Sequence, residues 1–322
     1  MSKILLTGST GFVGTALRKN LHTNGVEFTS AVRTLASIKE SQGSLGKIDA
    51  IGEIGPDTCW DKALEDVETV IHLAARVHVM NDTVSDPLQS FRNINTAGTL
   101  RLAAAAANAG VRRFIFLSSI KVNGELTTNQ PFDEHSPAAP VDPYSISKYE
   151  AEIGLRKIAT VTSMEVVIIR PPLIYGPGVK ANFLHLLSTV VRGIPLPLAG
   201  IKKQRSMVAL DNLVDFITTC IDHPAAANEI FLISDGKDLS TAELVQCMAK
   251  QAGHSARLFT LPQSLMALGA ALLGKKAILN RLTHSLQIDS SKARQLLQWQ
   301  PPISTDQAIA NTVAWYLQNK ER

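Results

Sequence analysis

A short apolar run at residues 3–6 leads straight into Thr7-Gly8-Ser9-Thr10-Gly11-Phe12-Val13-Gly14, and a helical pattern follows from Thr15 to Asn24. Few folds accept this order. The glycines allow a tight turn and a close backbone approach, and the helix behind them offers free amides and its positive dipole end. Strand, glycine turn and helix predict the opening of a dinucleotide-binding βαβ unit with a pyrophosphate on the helix N-terminus. Gly8, Gly11, Phe12, Val13 and Gly14 are thus candidate cofactor contacts.

The next strand, residues 26–32, should end in an acid if it is to hold the ribose hydroxyls of NAD. Ala31-Val32-Arg33-Thr34 stands there instead. An arginine at that point suits a 2′-phosphate, so Arg33 favours NADP(H), with NAD as the alternative. Alternation then continues. Val70-Ile71-His72-Leu73-Ala74-Ala75 reads as a buried parallel strand running into a small-residue turn, which makes Leu73, Ala74 and Ala75 cofactor candidates. An Ala-rich helix spans residues 96–109 and closes at Gly110. Further strands are expected at 114–119, 166–170 and 230–234.

This pattern predicts an α/β fold, a doubly wound parallel sheet with sites at the carboxyl ends of its strands and a smaller C-terminal substrate domain. After Arg170 the pattern is broken by Pro171-Pro172, Gly176-Pro177-Gly178 and Gly193-Ile194-Pro195. The expected division is residues 1–176 plus about 206–236 for the dinucleotide-binding domain, and 177–205 plus 237–322 for the substrate domain.

Size and composition agree with an enzyme of this kind. The chain has 322 residues, 45% hydrophobic and 19% charged, with a net charge of +4. No basic block resembles a nucleic-acid stripe. Cys59, Cys220 and Cys247 are few, odd in number and scattered, which points to reduced thiols and neither a disulfide frame nor a metal site. The longest apolar stretch, residues 265–273, is far below a membrane span. A cytoplasmic protein without membrane insertion is expected.

Chemistry enters with Pro143-Tyr144-Ser145-Ile146-Ser147-Lys148. On a helix, Tyr144 and Lys148 share a face one turn apart. A cation beside a phenol favours the phenolate, giving a general acid/base. Ser119, at the end of the strand beginning at Phe114, adds a hydroxyl where a cofactor ring would lie.

Ser119, Tyr144 and Lys148 together resemble the Ser-Tyr-Lys triad of extended short-chain dehydrogenases/reductases, whose glycine spacing G-x-x-G-x-x-G the first turn shares. Asn95, in Asn95-Thr96-Ala97-Gly98, matches the family's fourth position. Arg205-Ser206-Met207-Val208 and Asp289-Ser290-Ser291-Lys292-Ala293 resemble segments of the NAD-dependent, nucleotide-sugar epimerase/dehydratase group. The resemblance implies a Rossmann sheet and a UDP-sugar substrate. It implies Pro171 at the cofactor, and Ser119, Arg205, Asn182 and Arg281 at the substrate. It also implies a homodimer through the helices starting near Thr96 and Tyr144. The group's 4,6-dehydratases carry an Asp-Glu pair just after the catalytic hydroxyl. Ile120-Lys121 stands there, so dehydration is not expected.

Arg76-Val77-His78-Val79-Met80-Asn81 and the segment from Arg170 to Gly178 resemble a surface-polysaccharide subgroup. That subgroup includes reductases of UDP-4-keto-6-deoxy-N-acetylhexosamines and proteins named UDP-glucose 4-epimerase, and His78 is a further substrate candidate. The leading expectation is NADPH-dependent reduction at C4 of a UDP-linked 4-keto sugar. The alternative is a UDP-hexose 4-epimerase with retained NAD. A non-catalytic NADP-binding sensor is the third reading, and the retained triad argues against it.

Overall fold

The computed structural model describes residues 3–35, 46–77, 86–272 and 282–320. Seven parallel strands form the central sheet in the order β3-β2-β1-β4-β5-β6-β10. They are β1 (Ile4–Thr7), β2 (Phe28–Val32), β3 (Lys47–Ala50), β4 (Thr69–His72), β5 (Arg113–Leu117), β6 (Glu165–Arg170) and β10 (Ile230–Leu232). The chain order reverses between β1 and β4, and this switch point opens a crevice at the strands' carboxyl ends.

The strands are continuous apolar runs because both faces are covered. Successive residues point to opposite cores. Ile4, Leu6, Ile71, Ile115, Val167 and Ile169 pack under α1 (Phe12–Thr23) and α6 (Leu210–Asp222). Leu5, Val70, Phe114, Phe116, Val166 and Ile168 join a second core with Leu102 and Ala106 of α3 (Thr99–Asn108) and Ala151 and Leu155 of α4 (Pro143–Val161).

A third core lies to one side. It joins Tyr175 of β7 (Leu173–Tyr175), Leu187 of α5 (Ala181–Val191), Val245 and Met248 of α7 (Thr241–Gln251), and Ile309 and Val313 of the helix Thr305–Lys320. Two short sheets border it: β7 pairs with β9 (Met207–Ala209), and β8 (Gln204–Arg205) with β11 (Leu239–Ser240). All three cysteines are free. Among the described residues no helix is long and apolar enough to cross a membrane. The apolar run near Leu265 belongs to the ten-residue helix α8 (Gln263–Leu272).

The expected elements are present with shifted ends. β2 begins at Phe28, two residues late, because Val26 donates its amide back to Leu21 at the end of α1 (2.9 Å). β10 stops at Leu232, whose amide, however, is taken by the Glu134 carboxylate (3.0 Å). The largest difference falls before α3. In place of one helix from Thr96, the short helix α2 (Pro87–Phe91), capped by Asp86, runs into a π-helical turn at Arg92–Gly98 and then into α3. A π-turn carries an extra residue per loop, and such turns concentrate at functional sites. Here it turns Asn95 inward, 1% exposed.

Candidate active site

The glycine turn is a cradle closed by β4. Gly8 adopts φ +69°, and a Cβ there would meet the Ala74 amide nitrogen at 2.6 Å. Thr7 ties the same junction, accepting from the Ala74 amide at 3.3 Å and receiving that of Leu73 on its carbonyl at 3.3 Å. A Cβ on Gly14 would collide with the Gly8 carbonyl, so α1 can approach β1 only with glycine there. Gly11 caps α1 without a side-chain hydrogen bond, and the first turn holds no acid. The buried Ser9 hydroxyl has no hydrogen-bond partner among the described residues. Free amides, a dipole end and an unsatisfied hydroxyl form an anion cradle, which fits the pyrophosphate of a dinucleotide.

Arg33 lies beyond β2 with its side chain 71% exposed, 3.7 Å from Glu53. Glu53 follows β3, which pairs with β2 in register, Val32 opposite Ala50. An acid is therefore present at this corner, contributed by the neighbouring strand and not by β2 itself.

Asp142 starts the helix that carries Tyr144 and Lys148. Its carboxylate accepts the Ser145 amide (2.7 Å), the Ser145 hydroxyl accepts the Asp142 amide (3.1 Å), and Pro143 occupies the first turn. A capping box with proline behind it begins a helix sharply. Tyr144 is consequently fixed in the first turn, half-buried, its ring edge-to-face with that of Phe91 at a centroid separation of 6.3 Å. Lys148 is one turn on and 1% exposed, donating to the Leu117 carbonyl at 2.8 Å above the Phe116 ring at 4.2 Å.

The electrostatics depart from the simple pairing. Burial pushes the Tyr144 phenol well above its ordinary range, and the Asp142 carboxylate pushes it further. Burial lowers Lys148 to about 7, against the opposing charge of Glu152. A lysine without an adjacent counter-anion loses its cationic form readily, so Lys148 does not by itself make the tyrosine acidic. That is a correction to the four-residue argument. Below Lys148, His72 bridges Thr7 (2.7 Å) and Thr99 (2.9 Å), and burial followed by Lys148 lowers it to about 3, leaving a neutral ring.

Ser119 ends the segment after β5, half-buried, and caps the short turn Ile120–Val122 by accepting the Lys121 amide at 3.3 Å. A hydroxyl that accepts there keeps its own proton to donate. Pro171 is buried beside it, its carbonyl accepting the Ile120 amide (3.0 Å). Asn95 does not reach Lys148. Its side chain clamps the backbone of Arg76 from both sides (2.8 and 3.0 Å) and donates to the Ser147 hydroxyl (3.0 Å), tying the β4 loop to α4.

Sequence reasoning missed the layer behind the triad. Arg170, at the end of β6, pairs with Glu152 through two nitrogens, and Glu152 also accepts from Ser118. Arg170 further donates to the Asn123 amide oxygen (3.0 Å), and Asn123 to the Ser136 carbonyl (3.1 Å). One signal was available: a charge closing the run Val166-Val167-Ile168-Ile169. Farther away, Arg205 on β8 donates to the His284 carbonyl (3.2 Å), and Asn182 is exposed at the start of α5. Both belong to the part of the molecule around the third core. Arg281 and His78 lie outside the described residues.

The chain matches known proteins along almost its whole length. Residues 4–234 match the NAD dependent epimerase/dehydratase family. It is 46% identical to UDP-glucose 4-epimerase of Vibrio cholerae, over 99% of this chain and 97% of that protein. It is 32% identical to N-acetyl-alpha-D-glucosaminyl-diphospho-ditrans,octacis-undecaprenol 4-epimerase of Escherichia coli O157:H7, over 83% of this chain and 77% of that one. The fold is shared with solved structures, including UDP-glucuronic acid 4-epimerase of Bacillus cereus in complex with NAD (TM-score 0.79, 20% identity, 98% and 99% covered). Another is UDP-glucose 4-epimerase of Thermotoga maritima with UDP-glucose (TM-score 0.76, 21% identity, 99% of both chains). The glycine cradle, the parallel sheet and the match across residues 4–234 place this chain in the NAD-dependent epimerase/dehydratase family of nucleotide-sugar enzymes.

Proposed function

We propose that the protein is a 4-epimerase of UDP-linked hexoses or N-acetylhexosamines that works with NAD. The end-to-end identity of 46% to a UDP-glucose 4-epimerase carries this reading. Ile120-Lys121 in place of an acidic pair removes the groups that elimination would need. Reduction of a 4-keto sugar, the leading expectation from sequence, rested on the missing acidic pair, the subgroup resemblance and Arg33 as a 2′-phosphate ligand. Arg33 is instead exposed beside Glu53, a carboxylate suited to ribose hydroxyls.

The residues fit NAD as follows. Gly8, Gly11, Phe12, Val13 and Gly14 would hold the pyrophosphate, Glu53 the adenosine ribose, and Leu73, Ala74, Ala75 and Pro171 the nicotinamide half. When bound there, NAD supplies a hydride acceptor that can return the hydride to either face of the sugar ring. Tyr144 takes the proton of the C4 hydroxyl and later gives it back. Ser119 donates a hydrogen bond to the same oxygen and holds it in place. Lys148 would serve a ribose hydroxyl, its ammonium held beside the site by the Leu117 carbonyl and the Phe116 ring. Asn95 keeps the β4 loop and α4 at a fixed separation. The UDP moiety would lie between the main sheet and segments 177–205 and 237–322, with Arg205, Asn182 and Arg281 toward the diphosphate.

Purified protein given UDP-glucose or UDP-N-acetylglucosamine, with no added reductant, should convert each into its C4 epimer. Consumption of NADPH with a UDP-4-keto-6-deoxy sugar, without any interconversion of UDP-hexoses, would overturn the proposal.

A further inference from the structure

Lys121 enters the sequence reading only as the absence of a carboxylate, yet its side chain is fully engaged. Its ammonium contacts the second carboxylate oxygen of Asp142 and lies 3.5 Å from Glu125. The first oxygen of Asp142 is committed to the helix cap, on the Ser145 amide. Both side chains of the pair are about one-third exposed, at 34% and 31%, so solvent screens the contact only in part. The Lys121 amide is the same group that donates to Ser119. One residue thus touches the candidate hydroxyl with its backbone and the cap of the tyrosine helix with its side chain.

We propose that Lys121 is a positioning residue for the proton step: it offsets part of the charge of the Asp142 cap, so that Tyr144 faces a weakened negative charge in place of a bare carboxylate. Asp142 precedes Tyr144 by two residues, and an uncompensated anion there opposes phenolate formation. Although burial raises the Asp142 carboxyl, the hydrogen bond from Lys121 and the Ser145 amide outweigh it, and the group stays ionised at neutral pH. The cap therefore carries a full negative charge that something must offset. Among the other charged groups on the packed elements, Arg92 of the π-turn is paired with Glu150 of α4. Lys148 lies on the same helix with the charge of Glu152 bearing on it, and the neutral His72 ring adds no charge. Arg76 stacks on Phe91, 5.5 Å from the ring whose edge meets Tyr144. Lys121 is the cation in contact with Asp142.

The inference rests on Tyr144 as the proton carrier of the proposed reaction, so its test includes a readout that needs no turnover. In the NAD-saturated protein, phenolate formation is followed by ultraviolet difference absorbance, subtracting a Tyr144→Phe partner in each background. Lys121→Met should move the Tyr144 transition up by about half to one pH unit. Asp142→Asn, which retains a good helix cap, should move it down by a similar amount. The double variant should return close to wild type, and Lys121→Arg should leave the transition in place. The pH at which turnover rises should follow the same order. Equal midpoints in all variants, or a shift of both single variants in one direction, would overturn the proposal. So would a wild-type protein with no Tyr144 transition below its alkaline unfolding. A titration that behaves as stated in a protein without epimerase activity would instead refute the proposed function alone.

Discussion

Two buried cations lie on either side of Glu152, Arg170 paired with it from β6 and Lys148 one helical turn before it, and they are treated in opposite ways. Arg170 meets Glu152 through two nitrogens and fills its remaining valence with Asn123. Lys148 has a carbonyl and an aromatic face as its nearest partners. The first arrangement satisfies every charge and locks β6, α4 and the Ser118 strand end together. The second leaves a cation whose proton is held loosely at neutral pH. A guanidinium is never deprotonated under ordinary conditions, whereas an ammonium shifts readily when buried. The difference separates a brace from a working group, and it can be broken from either side.

The strongest break is in chemistry. Tyr144→Phe should lower turnover by about 10²–10⁴-fold, the usual worth of a positioned acid/base. Its melting curve should stay close to wild type, because the lost hydroxyl is not part of the buried brace. Glu152→Ala should do the reverse in kind. It strands Arg170 as an unpaired buried charge, which costs about 3–5 kcal/mol. Denaturant unfolding would register that as a lower midpoint. The double variant Glu152→Leu/Arg170→Met should recover much of the loss, since removing both charges removes the stranded one. A double variant as unstable as the single would show that the pair contributes something beyond mutual satisfaction.

Lys148→Met tests the other half of the contrast through stability. Buried in the native state, Lys148 sits at about 7. Unfolded, it holds its proton up to about 10.4. Between those values the unfolded chain binds the extra proton, so stability attributable to this residue rises with pH across the window. Below about 7 the full cost of burying the charge is present. Lys148→Met should therefore stabilise the fold at pH 7 by on the order of 2 kcal/mol while abolishing activity. The gain should shrink as pH approaches 10, and it is measured as the difference between the two proteins at each pH. A variant less stable than wild type at neutral pH would mean that Lys148 also braces the site.

Much of this was legible from local pattern. Tyr144 and Lys148 could be paired because the helical repeat of about 3.6 residues puts residues four apart on one face, and Asp142-Pro143 announces the helix start. The central strands were legible because burial on both faces leaves long apolar runs. What escaped depends on tertiary register. Glu152 and Arg170 are 18 residues apart and meet only once β6 is laid beside α4. The π-turn around Asn95 has no composition of its own, and its alanine-rich continuation reads as one helix. Glu53 was hidden because it follows β3, a strand that pairs with β2 in parallel, a partnership no single segment discloses.

The smallest effect is at that corner, and it decides the cofactor. Arg33 is largely solvated, and an exposed ion pair at 3.7 Å contributes little. Arg33→Ala should change NAD affinity by less than about threefold, as expected for a residue that only flanks the site. Glu53→Ala should weaken NAD by about three- to tenfold if its carboxylate accepts ribose hydroxyls, each charge-assisted hydrogen bond being worth about 1 kcal/mol or more. Calorimetric titration of both variants with NAD and with NADP separates the cases. The opposite pattern, NADP binding lost with Arg33 and NAD binding indifferent to Glu53, would restore the arginine as a phosphate ligand. The exposed corner would then be a specificity element that closes only around the larger cofactor, and the retained-NAD chemistry of an epimerase would lose its footing.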